Sequence, residues 1–183
     1  MTLSPLIPVV RDADILPALA STPVGELLRY HNLGTPHREH SRAELLVIMC
    51  MDSRKKLRIP DNFAFILRAG GANIRRAEFK VSFAVGVGAV SAIAVIGHSD
   101  CRMVGLRGRR EEFVEGLVRN GGWSDVEAAA EFDRYVDEFH IDDAVEFACA
   151  EAKRLRVRYP KLLVAPLFYT VEDNLLHQIC EDA

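Results

Sequence analysis

The sequence of 183 residues predicts one α/β domain with a central, mainly parallel β-sheet flanked by helices. Three apolar runs, 45–50 (LLVIMC), 63–67 (FAFIL) and 93–97 (IAVIG), have the length and polar flanks of strands buried on both faces. Between the second and third, residues 78–90 carry the apolar and small side chains of a buried helix. A strand, a crossover helix and a strand form a right-handed parallel unit, which brings the carboxyl ends of successive strands to one edge of the sheet.

Residues 1–44 mix Pro, Gly and charge with short helical patterns, notably over 23–30, and read as an N-terminal arm that packs on a neighbouring subunit. Residues 45–183 form the domain itself. In the crossover helix, Gly86 and Gly88 permit close approach at some cost in helix propensity. Ser124 and Glu127 have the spacing of a capping box and open a helix that runs to about residue 138. Ser41 and Glu44 have the same spacing but stand directly before a strand, so that match is read as chance. The next helix is marked by Ile141, Ala144, Val145, Ala148, Ala152 and Leu155 at helical spacing, acidic residues early and basic ones late, and Pro160 as its stop. Residues 161–171 (KLLVAPLFYTV) supply a last strand, in which Pro166 suggests an edge or a bulge.

Composition narrows the function. A 49% hydrophobic content supports one well-buried core, and a net charge of -3 supplies no basic field for nucleic acid or an anionic membrane. The first residues lack the pattern of a secretory signal, so the expected location is cytoplasmic. The longest uncharged run, 83–97, is too short to span a bilayer comfortably and reads as core. Four cysteines in so apolar a chain do not make a disulfide scaffold, which leaves the thiols free to be ligands or core.

Cys50 ends the first buried run and is followed by Asp52 and Arg54, while His98 and Cys101 follow the third. Parallel strands carry these positions to one edge despite their separation in sequence. Two thiolates and one imidazole form a zinc set, and three protein ligands leave a fourth position for water, as in a catalytic rather than a closed structural site. Zinc lowers the pKa of that water, but two thiolates cancel the metal's charge, so neighbouring groups must help. Arg54 paired to Asp52 would keep the carboxylate ionised and aimed at the water; released, Asp52 could itself ligate zinc.

The segments C-M-D-S-R at 50–54 and G-H-S-D-C at 97–101 resemble the paired signatures of the β-carbonic anhydrases, with a close match over about 45–106 and a looser one over 139–179. The resemblance implies a parallel-centred α/β sheet and a homodimer or higher assembly of dimers with the site near the subunit interface. It implies a zinc enzyme hydrating carbon dioxide to bicarbonate, with Cys50, His98 and Cys101 as ligands and Asp52 and Arg54 as the carboxylate–guanidinium pair. Two positions depart from the family pattern. Arg68 stands where Asn is usual, and Arg102 where Gly is usual after the second cysteine. Either guanidinium could tune anion affinity, redirect substrate choice or turn to solvent. Carbonyl sulfide or carbon disulfide hydrolysis on the same zinc, or a non-catalytic zinc protein with its pocket blocked, are the alternatives.

Other candidates have less behind them. A cysteine-phosphatase loop would need Arg at position 56, which is Lys, and no C-x-x-C pair exists. Gly70 and Gly71 read as a tight turn whose amide could also touch substrate, and His31, His37 and His40 as a solvated cluster or a second metal site. Cys149 and Cys180 lack ligand-spaced neighbours and read as inert thiols.

Overall fold

The computed structural model describes residues 5–181; residues 1–4 of the expected arm and 182–183 of the expected domain lie outside the described residues. In chain order the elements are β1 (Leu6–Pro8), α1 (Pro17–Ala20), α2 (Pro23–Leu28), β2 (Leu45–Cys50), β3 (Ala64–Ala69), α3 (Glu78–Gly86), β4 (Ala92–His98), α4 (Arg110–Gly121), α5 (Asp125–Phe139), α6 (Ala144–Arg158), β5 (Leu163–Thr170) and β6 (Leu175–Ile179). The strands form one sheet in the order β1-β6-β5-β4-β2-β3. Pairing is parallel from β3 across to β5, and β6 and β1 add antiparallel strands beyond.

Side chains alternate along β2 and β4, and each face of the sheet has its own cover. Leu45, Val47, Met49, Ala92, Ala94 and Ile96 pack with Val9, Ile15, Leu19, Val24, Leu27, Leu28 and Tyr30 on one side. Leu46, Ile48, Ile93 and Val95 pack with Val81, Ala84, Val145, Ala148, Ala152 and Leu155 from α3 and α6 on the other. The N-terminal segment thus buries most of its apolar side chains against its own sheet, while Leu6 and Val10 stay exposed. Polar side chains fasten it there. Asn32 Nδ2 donates to the carbonyls of Val9 (3.0 Å) and Leu176 (2.8 Å), and its Oδ1 accepts from the Leu176 amide at 3.0 Å. Gln178, fully buried, accepts from the Leu16 amide at 2.7 Å and donates to the Asp14 carbonyl at 3.0 Å.

Three expectations change. The second apolar run is a sheet edge rather than a doubly buried strand: among the described residues β3 pairs only with β2, and Phe65 and Ile66 are exposed. Pro166 lies on an interior strand, opposite Val95. Pairing with β6 begins at Leu167, so the proline falls on a stretch of β5 bonded on one side only, where a missing donor is tolerated. The crossover helix ends at Gly86 rather than at residue 90. The capping box at Ser124 forms as read, with Ser124 Oγ accepting from the Glu127 amide and Glu127 returning the bond to the Ser124 amide at 3.1 Å. Glu44 makes no cap and instead binds Arg38 and His40.

Gly97, just before His98, is where α6 meets β4: a Cβ there would lie 2.5 Å from the Ala144 carbonyl oxygen. Backbone cannot yield as a side-chain tip does. Gly97→Ala is therefore expected to destabilise the fold by about 1–3 kcal/mol, read as a lower urea midpoint at unchanged slope; an unshifted midpoint would contradict the close approach.

Candidate metal centre

β2 and β4 are hydrogen-bonded neighbours, with Met49 opposite Ile96, so their carboxyl ends emerge side by side. Cys50 and His98 are the last residues of these strands, and the turn after β4 brings Cys101 back beneath them. One donor atom from each of the three lies within 4.8 Å of the others, and all three residues are buried. Among the described residues this is the one group of His, Cys, Asp and Glu side chains that could hold a metal ion.

The donor set has the features a metal requires. His98 Nδ1 lies 2.7 Å from the Ser99 carbonyl, which can only accept, so Nδ1 carries the ring proton and Nε2 presents its lone pair. That Nε2 is buried and has no hydrogen-bond partner. The two thiols form a coupled pair. Cys101 donates to Cys50 and holds its pKa far below the ordinary thiol range, while the same contact pushes Cys101 up. A dication in the centre would take the place of that shared proton and satisfy the imidazole as well. The Gly71 amide donates to Cys50 Sγ at 3.3 Å, with Gly71 at φ 61, a conformation glycine adopts freely. The tight turn and the useful amide expected of this segment are thus one feature, although the amide meets a sulfur rather than a substrate.

Asp52 and Arg54 also stand together. Arg54 Nη2 donates to Asp52 Oδ2 at 2.7 Å, its Nε lies 3.2 and 3.1 Å from the two carboxylate oxygens, and its own amide donates to Oδ1 at 3.0 Å. These bonds hold the Asp52 carboxyl well below the usual carboxylate range. The other side of the guanidinium binds Asp100, through its carboxylate at 2.7 Å and its carbonyl at 3.2 Å. Asp100 has φ 54, left-handed backbone that costs an aspartate some strain. The guanidinium therefore ties the loop after β2 to the turn after β4. An open cleft of about 550 Å³, lined by Cys50, Met51, Asp52, Ser53, Arg54, Asp100, Arg102 and Met103, leads from this site to solvent.

The two departures from the family pattern part ways. Arg102 borders the cleft, as its position suggested. Arg68 does not line the cleft; the residue is exposed, but its guanidinium is engaged by backbone, with Nη1 donating to the carbonyls of Cys50 (3.0 Å) and Asp52 (3.3 Å) and Nη2 to that of Lys55 (2.9 Å). Lys55 itself went unnoticed in the sequence, where nothing sets it apart from Lys56 beside it. Its side chain is 1% exposed and its Nζ lies 3.5 Å from Asp52 Oδ2. Burial lowers its pKa, and the negative charge of Cys50, Asp52 and Cys101 opposes that. The histidines of the N-terminal segment do not assemble into a second site. His31 bonds the Asn174 carbonyl and the Arg58 amide, His40 joins Tyr30 to Glu44, and His37 meets the Tyr30 ring edge-on.

Sheet order and site together define an α/β protein with three donor side chains that could hold a metal ion at the carboxyl edge of its parallel strands. The chain has the fold of the β-carbonic anhydrases. It is similar to a carbonic anhydrase from Streptococcus mutans (19% identity over 82% of this chain and 90% of that one, TM-score 0.61). It is similar also to a β-carbonic anhydrase from Trichomonas vaginalis (14%, 82% and 91%, TM-score 0.61) and to the apo form of a carbon disulfide hydrolase (22%, 77% and 80%, TM-score 0.56). No family model and no curated protein matches the sequence.

Arg68 carries the loop through three carbonyls, so Arg68→Asn is expected to act on stability rather than on the charge of the cleft. The loss should be about 1–3 kcal/mol, with faster hydrogen exchange at the amides of residues 51–56. Unchanged exchange there would sink this role.

Proposed function

We propose that this chain binds one zinc ion through Cys50, His98 and Cys101 and hydrates carbon dioxide to bicarbonate. The observation that carries the reading is the convergence of two coupled thiols and the unpartnered Nε2 of His98 beside an arginine-clamped carboxylate, at the foot of an open cleft. Zinc held by three protein ligands supplies a Lewis acid that makes water a nucleophile near neutral pH.

The chain's own groups do the rest. Asp52, ionised and fixed by Arg54, accepts a hydrogen bond from the attacking water and so orients its lone pair toward the substrate carbon. Arg54 leaves Asp52 little freedom to turn, because Asp100 anchors its far side. Arg102 at the cleft wall favours an anionic product, which matches bicarbonate leaving through that opening. Carbon disulfide and carbonyl sulfide are linear molecules of the same kind, and the similarity to a carbon disulfide hydrolase makes them the substrates to set beside carbon dioxide.

The test joins metal analysis to turnover on all three substrates. Wild type should carry one zinc per chain, Cys101→Ser should lose most of it, and Arg54→Ala should keep zinc while hydration falls by about two orders of magnitude or more. A metal-free wild type ends the zinc reading; zinc-loaded protein inert toward all three substrates leaves a non-catalytic zinc protein.

The expected homodimer has a candidate surface. Phe65 and Ile66 on the edge strand β3 and Phe79 and Phe83 on α3 are exposed and line one shallow groove, and a free sheet edge beside an apolar patch favours association. Two copies pairing through this edge would cover both. Sedimentation velocity should find wild type dimeric and Phe79→Glu/Phe83→Glu monomeric; a monomeric wild type, or a variant that stays dimeric, rejects this edge.

A further inference from the structure

Asp52 Oδ2 faces two cations that are not equivalent. Arg54 is 43% exposed and has a second carboxylate in Asp100. Lys55 is 1% exposed and, among the described residues, has Asp52 as its one carboxylate contact at 3.5 Å and makes no hydrogen bond through its Nζ. Its backbone is pinned as well, because Arg68 holds the Lys55 carbonyl at 2.9 Å.

Consider Asp52 turning from this clamp toward a metal held by Cys50, His98 and Cys101, which would close the fourth position. Arg54 would keep Asp100 and water. Lys55 could follow neither the carboxylate nor the solvent, and the dication drawing Asp52 across would at the same time neutralise the thiolate charge near the ammonium. A buried cation left without its counter-ion is among the most destabilising arrangements in a protein. We infer that Lys55 is a positioning residue that keeps Asp52 in the arginine clamp and so holds the metal's fourth position open to exchangeable ligands. The inference rests on the zinc reading above and adds to it a residue that acts through Asp52.

The experiment uses cobalt(II) in place of zinc, because its visible spectrum reports the ligand set, and thiocyanate as a probe of the fourth position. Wild type should change its spectrum as thiocyanate binds. In Lys55→Met the Asp52 carboxylate should occupy that position, so about tenfold more thiocyanate or greater is needed for the same change, and a crystal structure of the zinc-loaded variant should place a carboxylate oxygen on the metal. Lys55→Met/Asp52→Asn should recover the wild-type response. Should Lys55→Met not fold, Lys55→Gln, which keeps polarity but not charge, takes its place. A lysine variant that binds thiocyanate like wild type overturns the inference, as does a deficit that persists without the Asp52 carboxylate. A wild type that takes up neither zinc nor cobalt overturns the metal reading itself, which sets that failure apart from a failure of Lys55 alone.

Discussion

β2 and β4 lie next to each other in parallel, with Met49 opposite Ile96, and the chemistry at the sheet edge depends on that register. Because both strands run the same way, Cys50 and His98 leave the sheet on the same side, and a short turn suffices to return Cys101 to them. A slip of one residue in either strand would send its donor to the opposite face. The register is held by burial on both faces: every residue of β2 and β4 is buried, with the N-terminal segment on one side and α3 and α6 on the other. The segment that looks least like part of the domain therefore helps to fix the position of the sulfur atoms.

Around the donors the chain has collected charge, of which only Lys55 is fully buried. Asp52, Arg54, Asp100 and Lys55 form one connected set, and Arg68 fixes the backbone that carries two of them. Lys55, the buried cation, has its anion in Asp52, as burial demands. The result is a loop whose shape is determined by ionic contacts more than by apolar packing, next to a sheet for which the reverse holds.

Much of this was legible in the sequence, for identifiable reasons. Continuous apolar runs announced β2 and β4, helical spacing announced α6, and the Cys50, Asp52, Arg54, His98 and Cys101 constellation was readable because strand order alone brings its members together. What escaped was set by contacts between distant residues. Nothing local distinguishes Lys55 from Lys56, yet one is buried and the other exposed. Arg68 could be placed near the site from its neighbours, but its target is a row of carbonyls, groups every residue possesses. Strands β1 and β6 and helix α4 carry weak patterns of their own; β1 spans three residues and is defined by its pairing with β6. The apolar runs also could not reveal that β3 is an edge, since an exposed phenylalanine and a buried one are spelled alike.

Asp100 shows how such a site constrains the chain's history. Its backbone is in a conformation that glycine would adopt without strain, so a change to glycine relaxes the turn. The same change removes the carboxylate that anchors the far side of Arg54. Selection for durability alone would draw this position toward glycine, and selection for the ionic arrangement draws it back. A directed-evolution campaign that screens only for heat resistance is thus biased toward dismantling the clamp, and ancestral or consensus designs built on this fold should hold residue 100 fixed while the rest of the turn is allowed to vary.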